Sequence, residues 1–477
     1  MLPRQLSGQD AARRFAPALR VLGPGRDAEE RGSPFTAGYG ACARADRMSA
    51  EASAGARAGN DGRWTGRAIS RMTRSSAVVF AMGDTGHFKR MRPIIAGLAA
   101  RGHRAHVFTR LDRRDEVERL GGEFSDLFEG RSLDEADATS VPLPSRSVTF
   151  AGRFGDDVVR QVAILRPEVV IHDAFAVIGS VVAHHLGLPR VNVCAGHNLA
   201  PKPTLEALAR DPRVRTSEQC RRAVELLRER HGMPGASPFS YIDGLSNDLN
   251  VYCEPPEFLL PAEREAFQPI AFFGSLLPDP PPATGDHASA FGANRNVRLR
   301  IYASFGTVIW SYYEAAAINA LTAISDAVAN TDGAVALVSL GGRNSPELAA
   351  QLSRRNVRVE NYVDQWAVLH HASVTFTHQG LNSTHEAIYN GTPMISYPFF
   401  TDQPGLARRC QEFGLAVPLA ESELRGPVSA NDVHAALARI EAGAADFQAR
   451  FDEARRWELA AIAGRPAVLD RILRLTR

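Results

Sequence analysis

The chain has 477 residues, 44% of them apolar and 23% charged, with a formal net charge of +2. That is a globular composition with room for two or three domains, and so small a charge gives no electrostatic case for nucleic acid or an anionic membrane as a partner. No apolar run is long enough to span a bilayer, and Cys42, Cys194, Cys220, Cys253 and Cys410, an odd set without C-x-x-C spacing, argue against a disulfide framework or zinc knuckle and fit a reducing cytoplasm.

Residues 1–74 are rich in Ala, Arg and Gly and lack hydrophobic periodicity. They contain no apolar h-region of a secretory signal, and Asp27, Glu29, Glu30, Asp46 and Glu51 weaken a transit-peptide reading. The expectation is a disordered extension or a start codon placed too far upstream, with Met48 and Met72 as candidate starts. Order is expected from Ser76. Ala77 to Met82 is a short continuous apolar run, as in a strand buried on both faces. A turn of Gly83, Asp84, Thr85 and Gly86 follows, then a helix to Arg101 capped by Gly102, then a strand over Ala105 to Thr109. Further strands are expected at Val169 to Asp173 and Val191 to Cys194, with charged helices between Ala200 and Asn250. This alternation implies a parallel sheet with right-handed crossovers.

The proline cluster in Leu277 to Gly285 reads as a linker. A second series begins beyond it, with strands expected at Leu299 to Ser304, Val335 to Leu340, Val357 to Asn361, Val374 to Thr377 and Met394 to Tyr397. The fold class is therefore α/β, two α/β domains of similar size in tandem. Domain one is placed at 75–276, the linker at 277–297 and domain two at 298–460, and the helical tail is broken between Gly464 and Pro466.

Chemistry concentrates at strand ends, where ligands bind in open α/β sheets. His87 follows the first strand and is the side chain suited to accept a proton near neutral pH; the alternative is a capping or core histidine. Asp173 ends another strand of the same domain and can orient that imidazole, or cap the next helix. In the second domain Ser304 and Thr307 sit on a small-residue turn that lets backbone approach a phosphate. Tyr362 offers an aromatic face to a nucleobase and Gln365 an amide to its edge. The segment from Phe376 to Gln403 reads strand, polar turn, helix, strand, loop; it sets His378, Gly380, Asn382 and Ser383 at a helix start, an anion site. Glu386 follows one turn later, where it can accept from ribose hydroxyls. Asp402 and Gln403 offer acceptors and donors to a sugar, or form an ordinary polar loop tip. His370 and His371 do not share a helix face and lack further ligands at metal spacing, so no metal site is assigned.

Tyr362-x-x-Gln365, His378-x-Gly380-x-Asn382-Ser383-x-x-Glu386 and Asp402-Gln403, in that order, resemble the donor motif of the inverting family 1 glycosyltransferases with the GT-B fold, particularly the bacterial macrolide-type and natural-product members. The Gly86-His87 turn, Pro93 and the helix ending in Ala-Arg-Gly-His match their N-terminal half. The resemblance implies two Rossmann-like domains facing across a cleft, with residues 461–477 crossing back to the first. It implies His87 as general base with Asp173 as partner, and Tyr362 and Gln365 on the base of the donor. Ser304, Thr307, His378, Asn382 and Ser383 would hold the diphosphate, Glu386 the ribose, and Asp402 and Gln403 the sugar. No cofactor is implied, because the donor, a UDP-sugar (UDP-glucose first) or a dTDP-sugar, is a co-substrate; no acidic D-x-D motif is present. The partners expected are that donor and a small lipophilic acceptor, with the chain a monomer or homodimer in the cytoplasm. Loops near 130–155 and 196–250 are expected to form the acceptor pocket, with Phe150, Phe154, His197, Phe239 and Tyr241 as its content. Three departures stand out: Tyr362 where plant members carry Trp, Gln379 after His378, and Lys89 and Arg90 where small residues and proline are usual. The two cations are expected to face solvent rather than to select an anionic acceptor. A sugar-nucleotide epimerase and a non-catalytic partner protein share the architecture and remain alternatives.

Overall fold

The computed structural model describes residues 77–476 apart from 83–84, 134–136, 138–139, 141–143, 195, 213, 275–290, 292–296 and 421–424. The expectations for residues 1–74 and for most of the linker lie outside the described residues. The first sheet comprises β1 (Ala77–Phe80), β2 (Ala105–Thr109), β3 (Glu123–Asp126), β4 (Val169–Asp173), β5 (Arg190–Cys194), β6 (Leu249–Tyr252) and β7 (Ile270–Phe272) in the order 3-2-1-4-5-6-7. The second comprises β8 (Leu299–Ser304), β9 (Ala334–Ser339), β10 (Val357–Glu360), β11 (Val374–Thr377), β12 (Met394–Ser396) and β13 (Ala416–Pro418) in the order 10-9-8-11-12-13. Every pairing within the two sheets is parallel. Both sheets are doubly wound, and in both the order reverses between the first and fourth strands: β1 beside β4, and β8 beside β11. That reversal opens a crevice at the carboxyl ends of the strands.

Ten helices frame the argument: α1 (Thr85–Ala100), α2 (Ser145–Leu165), α3 (Val177–Leu186), α4 (Glu218–Glu229), α5 (Glu314–Ala329), α6 (Gln365–Leu369), α7 (Leu381–Asn390), α8 (Gln403–Glu412), α9 (Ala444–Ala463) and α10 (Arg465–Arg474). The sequence explains their faces and ends. The charged run after Ala200 becomes α4, started by Ser217, whose hydroxyl accepts the Cys220 N–H at 2.9 Å. Its apolar stripe, Cys220, Ala223, Val224 and Leu227, is buried. Gly464 breaks α9 from α10 with Pro466 in the first turn of α10, where a missing N–H costs nothing. The last helix lies against α1: a Cβ at Gly97 would meet Leu469 Cδ1 at 2.4 Å, so a larger residue there would push the buried Leu469 side chain aside. Arg465 and Arg471 donate to the carbonyls of Phe273 and Ile270 beside β7, at 2.9 and 2.7 Å.

The boundaries differ from expectation in instructive places. β1 stops at Phe80, because the Met82 N–H turns to the Asp173 carboxylate, 3.0 Å away, instead of a neighbouring strand. Gly86 and His87 belong to the first turn of α1 and not to the loop before it. Residues 145–155, expected as acceptor loop, are helical in α2, and Phe150 is fully buried in the core. The strands β3, β6, β7 and β13 carry no long apolar run (Glu-Phe-Ser-Asp in β3, Ala-Val-Pro in β13) and are held by pairing to neighbours, so periodicity alone does not mark them.

Candidate active site at two switch points

At the first switch point, β1 feeds α1 and places His87 opposite the end of β4. Nδ1 of His87 lies 3.2 Å from Oδ1 of Asp173. The Asp173 carboxylate also accepts the N–H groups of Met82 at 3.0 Å and Phe175 at 2.8 Å. Burial alone would push its pKa up, but the hydrogen bond and charge of His87 and the two N–H donors outweigh that and hold it below the usual carboxylate value. The Phe175 ring stacks on His87 with centroids 4.0 Å apart, and Tyr241 braces Phe175 edge-on at 5.7 Å. With Nδ1 turned to Asp173, Nε2 is the nitrogen left to meet a ligand; that tautomer is assigned from the hydrogen bonds. The neighbouring His172 is directed elsewhere as alternation requires. Its Nδ1 lies 2.9 Å from the Asp173 carbonyl oxygen, and burial lowers its pKa to about 4.

The second switch point holds Ser304 at the end of β8 and His378 just past β11, with Thr377 in register with Ser304. Gly306 has φ of +77° and a Cβ there would lie 2.9 Å from the His378 ring, so the turn admits only glycine. Burial lowers the His378 pKa to about 4, with the Ser304 backbone pulling the other way, so the ring is neutral near pH 7. Gly380 is the N-cap of α7, putting Asn382 and Ser383 in its first turn. Gln379 has φ of +57°, where glycine is the usual choice. Its buried side chain answers with a 2.7 Å bond accepted from the Thr384 hydroxyl. Gln365 and Glu386 meet, Nε2 donating to Oε2 at 2.6 Å, and the Ser383 hydroxyl donates to the Gln365 carbonyl oxygen at 3.4 Å. Tyr362 is 67% exposed, whereas nearby Trp366 is stacked on Tyr389 with centroids 5.0 Å apart. Tyr362 is therefore the aromatic face open to a ligand. Thr307 is exposed, and Ser304 is buried with its hydroxyl accepting the Gly306 N–H at 3.4 Å.

The two switch points touch. The Asn382 amide donates to the Gly86 carbonyl at 3.3 Å, so the helix start carrying His87 is docked on the helix start carrying the anion motif. Residues 287–443 match the family model described as UDP-glucoronosyl and UDP-glucosyl transferase. The oleandomycin glycosyltransferase of Streptomyces antibioticus is 24% identical over 376 residues, 74% of this chain and 81% of that one. The zeaxanthin glucosyltransferase of Pantoea ananas is 26% identical over 271 residues, 52% of this chain and 59% of its own length. Among solved structures, the glycotransferase of kitacinnamycin superposes with a TM-score of 0.68 at 20% identity, covering 85% of this chain and all of that one. Residues 287–443 are thus similar to this glycosyltransferase family, and the chain has the GT-B fold.

Several contacts lie beyond the sequence reading. Of the two cations expected to face solvent, Arg90 does not, and Lys89, though partly exposed, is engaged by a carboxylate. Lys89 Nζ reaches Glu386 Oε1 at 3.4 Å, across the seam between the sheets. Arg90 is 5% exposed, turned inward among Cys253, Glu254, Asp402 and Asp173; burial lowers its pKa while those groups oppose the shift. Its Nε and Nη1 have no hydrogen-bond partner among the described residues. The first turns of α1 lie at the seam, so Lys89 reaches a carboxylate of the opposite domain, while Arg90 is buried mostly among groups of its own domain, with Asp402 from the other.

A buried ion network also crosses the seam, and the sequence carried no sign of it. Nδ1 of His197 bonds Glu254 Oε2 at 2.9 Å, Glu254 Oε1 bonds Nε2 of His385 at 3.0 Å, and Nδ1 of His385 bonds Glu458 in α9. Burial opposes the charge on His385 and on Glu254, and their partners outweigh it. His385, pressed down by burial, is raised to about 10 by Glu458 and Glu254. Glu254, pressed up by burial, is lowered to about 2 by His197 and His385. His385 thus sits as a cation between two carboxylates, one residue before Glu386. His197, expected in the acceptor pocket, belongs to this network.

The loop after β12 closes on itself and on the first domain. Gln403 Oε1 accepts the N–H groups of Phe399 and Phe400 at 2.9 and 3.3 Å. Asp402 Oδ2 accepts the His197 N–H at 3.1 Å, and burial raises the Asp402 pKa against the pull of that N–H and of Arg90. Among the described residues, no group of three or more His, Cys, Asp or Glu is arranged to hold a metal, and no helix is long and apolar enough to cross a membrane. His370 caps the end of α6, and His371 meets it edge-on with centroids 5.1 Å apart.

Proposed function

We propose that the chain transfers a hexose, with inversion, from a nucleoside diphosphate sugar to a hydroxyl of a small lipophilic acceptor. UDP-glucose is the first choice of donor and a dTDP-sugar the second. The observation that supports the reading is that the helix start carrying His87, itself paired with Asp173, is docked on the start of α7 through the Asn382–Gly86 bond. His87 Nε2 takes the acceptor's proton as its oxygen forms the bond to the anomeric carbon. The bond from that carbon to the β-phosphate oxygen breaks, and its electron pair leaves with the nucleoside diphosphate. Asp173 holds the imidazole in the required tautomer and stabilises the imidazolium. The start of α7, equivalent to about half a positive charge, stabilises the leaving group. Tyr362 stacks on the base, Gln365 meets its edge, and Glu386 takes the ribose. Ser304, Thr307, His378, Asn382 and Ser383 surround the diphosphate, and Asp402 and the amide nitrogen of Gln403 the hexose. The names of the relatives, a carotenoid and a macrolide glycosyltransferase, support a lipophilic acceptor.

The test is a thermal-shift panel of UDP- and dTDP-sugars, followed by intact-mass screening of phenolic, macrolide and carotenoid acceptors. Stabilisation by one donor class and a product heavier by one hexose are expected. Conversion of the donor sugar without any acceptor would instead indicate epimerisation.

A further inference from the structure

Lys89 lies two residues after His87 on α1, yet its ammonium is 3.4 Å from Glu386 in α7. Glu386 gives its other oxygen to Gln365, and Gln365 gives its carbonyl to Ser383. Gln365, Glu386 and Ser383, assigned to base, ribose and phosphate, are therefore closed on one another, and the chain of contacts ends in a cation from the opposite domain. The side chain of Lys89 is 39% exposed and that of Glu386 is 10% exposed, so the ammonium sits at the mouth and the carboxylate behind it.

A ribose binding to Glu386 must take the place that Lys89 and Gln365 now occupy. The displaced ammonium needs an anion. Glu386 stands four residues along α7 from Asn382, about 6 Å of helix rise, and Asn382 already touches the start of α1. A diphosphate running from that helix start to a ribose on Glu386 thus passes within the sweep of a flexible lysine stem. His378 carries no charge near pH 7, and the helix dipole supplies only about half a charge, so a leaving diphosphate is short of compensation without a further cation. Arg90, the neighbouring cation, is buried on the side of Asp402 and Glu254.

We propose that Lys89 is a ligand of the donor's diphosphate supplied by the acceptor-side domain, held in reserve on Glu386 until the donor displaces it. This rests on the donor reading above. In the transfer step its ammonium would stabilise the charge that appears on the β-phosphate as the sugar departs.

Calorimetric titration of the full chain and of Lys89→Met and Lys89→Arg with UDP and with uridine tests this; if dTDP binds wild type better, dTDP and thymidine are the probes. Lys89→Met should weaken diphosphate binding at least tenfold, leave nucleoside binding within twofold or tighter because Glu386 is freed, and flatten the salt dependence of diphosphate affinity. Lys89→Arg should recover most of the loss. Equal losses for diphosphate and nucleoside, or no loss for either, would overturn the assignment. A wild type that binds neither UDP nor dTDP would overturn the donor reading and this inference together, whereas tight wild-type binding unchanged in the Met variant would remove Lys89 alone.

Discussion

At the first switch point, Asp173 is gripped by two backbone N–H groups as well as by His87; at the second, Glu386 is met by two side chains, Gln365 and Lys89. Backbone donors cannot move without moving strands, so the His87–Asp173 pair is set before any ligand arrives. Side-chain donors exchange at the cost of a few rotamers. The His87–Asp173 pair is preorganised and the Gln365–Glu386–Lys89 set is closed on itself, so on the proposed function the second is expected to change partners on binding while the first stays put.

The largest effect should come from removing the fixed half. His87→Ala is expected to lower kcat by about 10² to 10⁴ while UDP affinity by calorimetry stays within twofold; near-normal turnover would sink the base assignment. Asp173→Asn keeps the shape of the pair but loses the carboxylate charge, and a fall in kcat of at least about a hundredfold is expected, with little change in donor KM. An equal rise in donor KM would show that the two halves are not separable.

The seam that joins the halves comes next. His385→Leu leaves Glu254 and Glu458 buried without their cation, a loss of about 3 to 5 kcal/mol, read as a lower midpoint in denaturant titration. An unchanged midpoint would show that the buried network contributes nothing net. The pH dependence has a definite sign. His385 is raised from 6.5 to about 10, so its contribution is complete below pH 6.5 and is lost as pH climbs toward 10. Glu254 is lowered from 4.5 to about 2, so its contribution is present above pH 4.5 and fades as pH falls toward 2. The Leu variant should flatten the alkaline limb.

The smallest effect belongs to the most exposed group. Tyr362→Ala should weaken nucleotide binding by about 1 kcal/mol, roughly fivefold, with Tyr362→Trp equal to or better than wild type and no change in thermal midpoint for either. A large loss of stability would place Tyr362 in the fold instead of the site.

Much of this architecture can be read from the chain. Short apolar runs ending in small or polar residues mark β1, β4, β8 and β11, the four strands at the switch points, because strands buried on both faces have no polar alternation to hide them. The spacing from Phe376 to Gln403 locates the helix start at Gly380 because a helix start and its next turn are local structures. Strands such as β3 and β13 escape notice because neighbours, not their own residues, hold them in place. The loop reading of residues 145–155 fails because α2 is amphipathic against α3 and α4, partners that appear only on folding.

What the sequence determined by itself is therefore local: two strand–helix series, the His87 turn, and the order of polar groups along the donor helix. Tertiary structure alone decided which way Lys89 and Arg90 turn, that Asn382 meets Gly86, and that His385 is a buried cation. The residues in those contacts are far apart in the chain, 296 positions for Asn382 and Gly86 and 131 for His385 and Glu254. A charge or amide gains its meaning from whatever the fold brings within about 3 Å of it, and no local pattern encodes that distance.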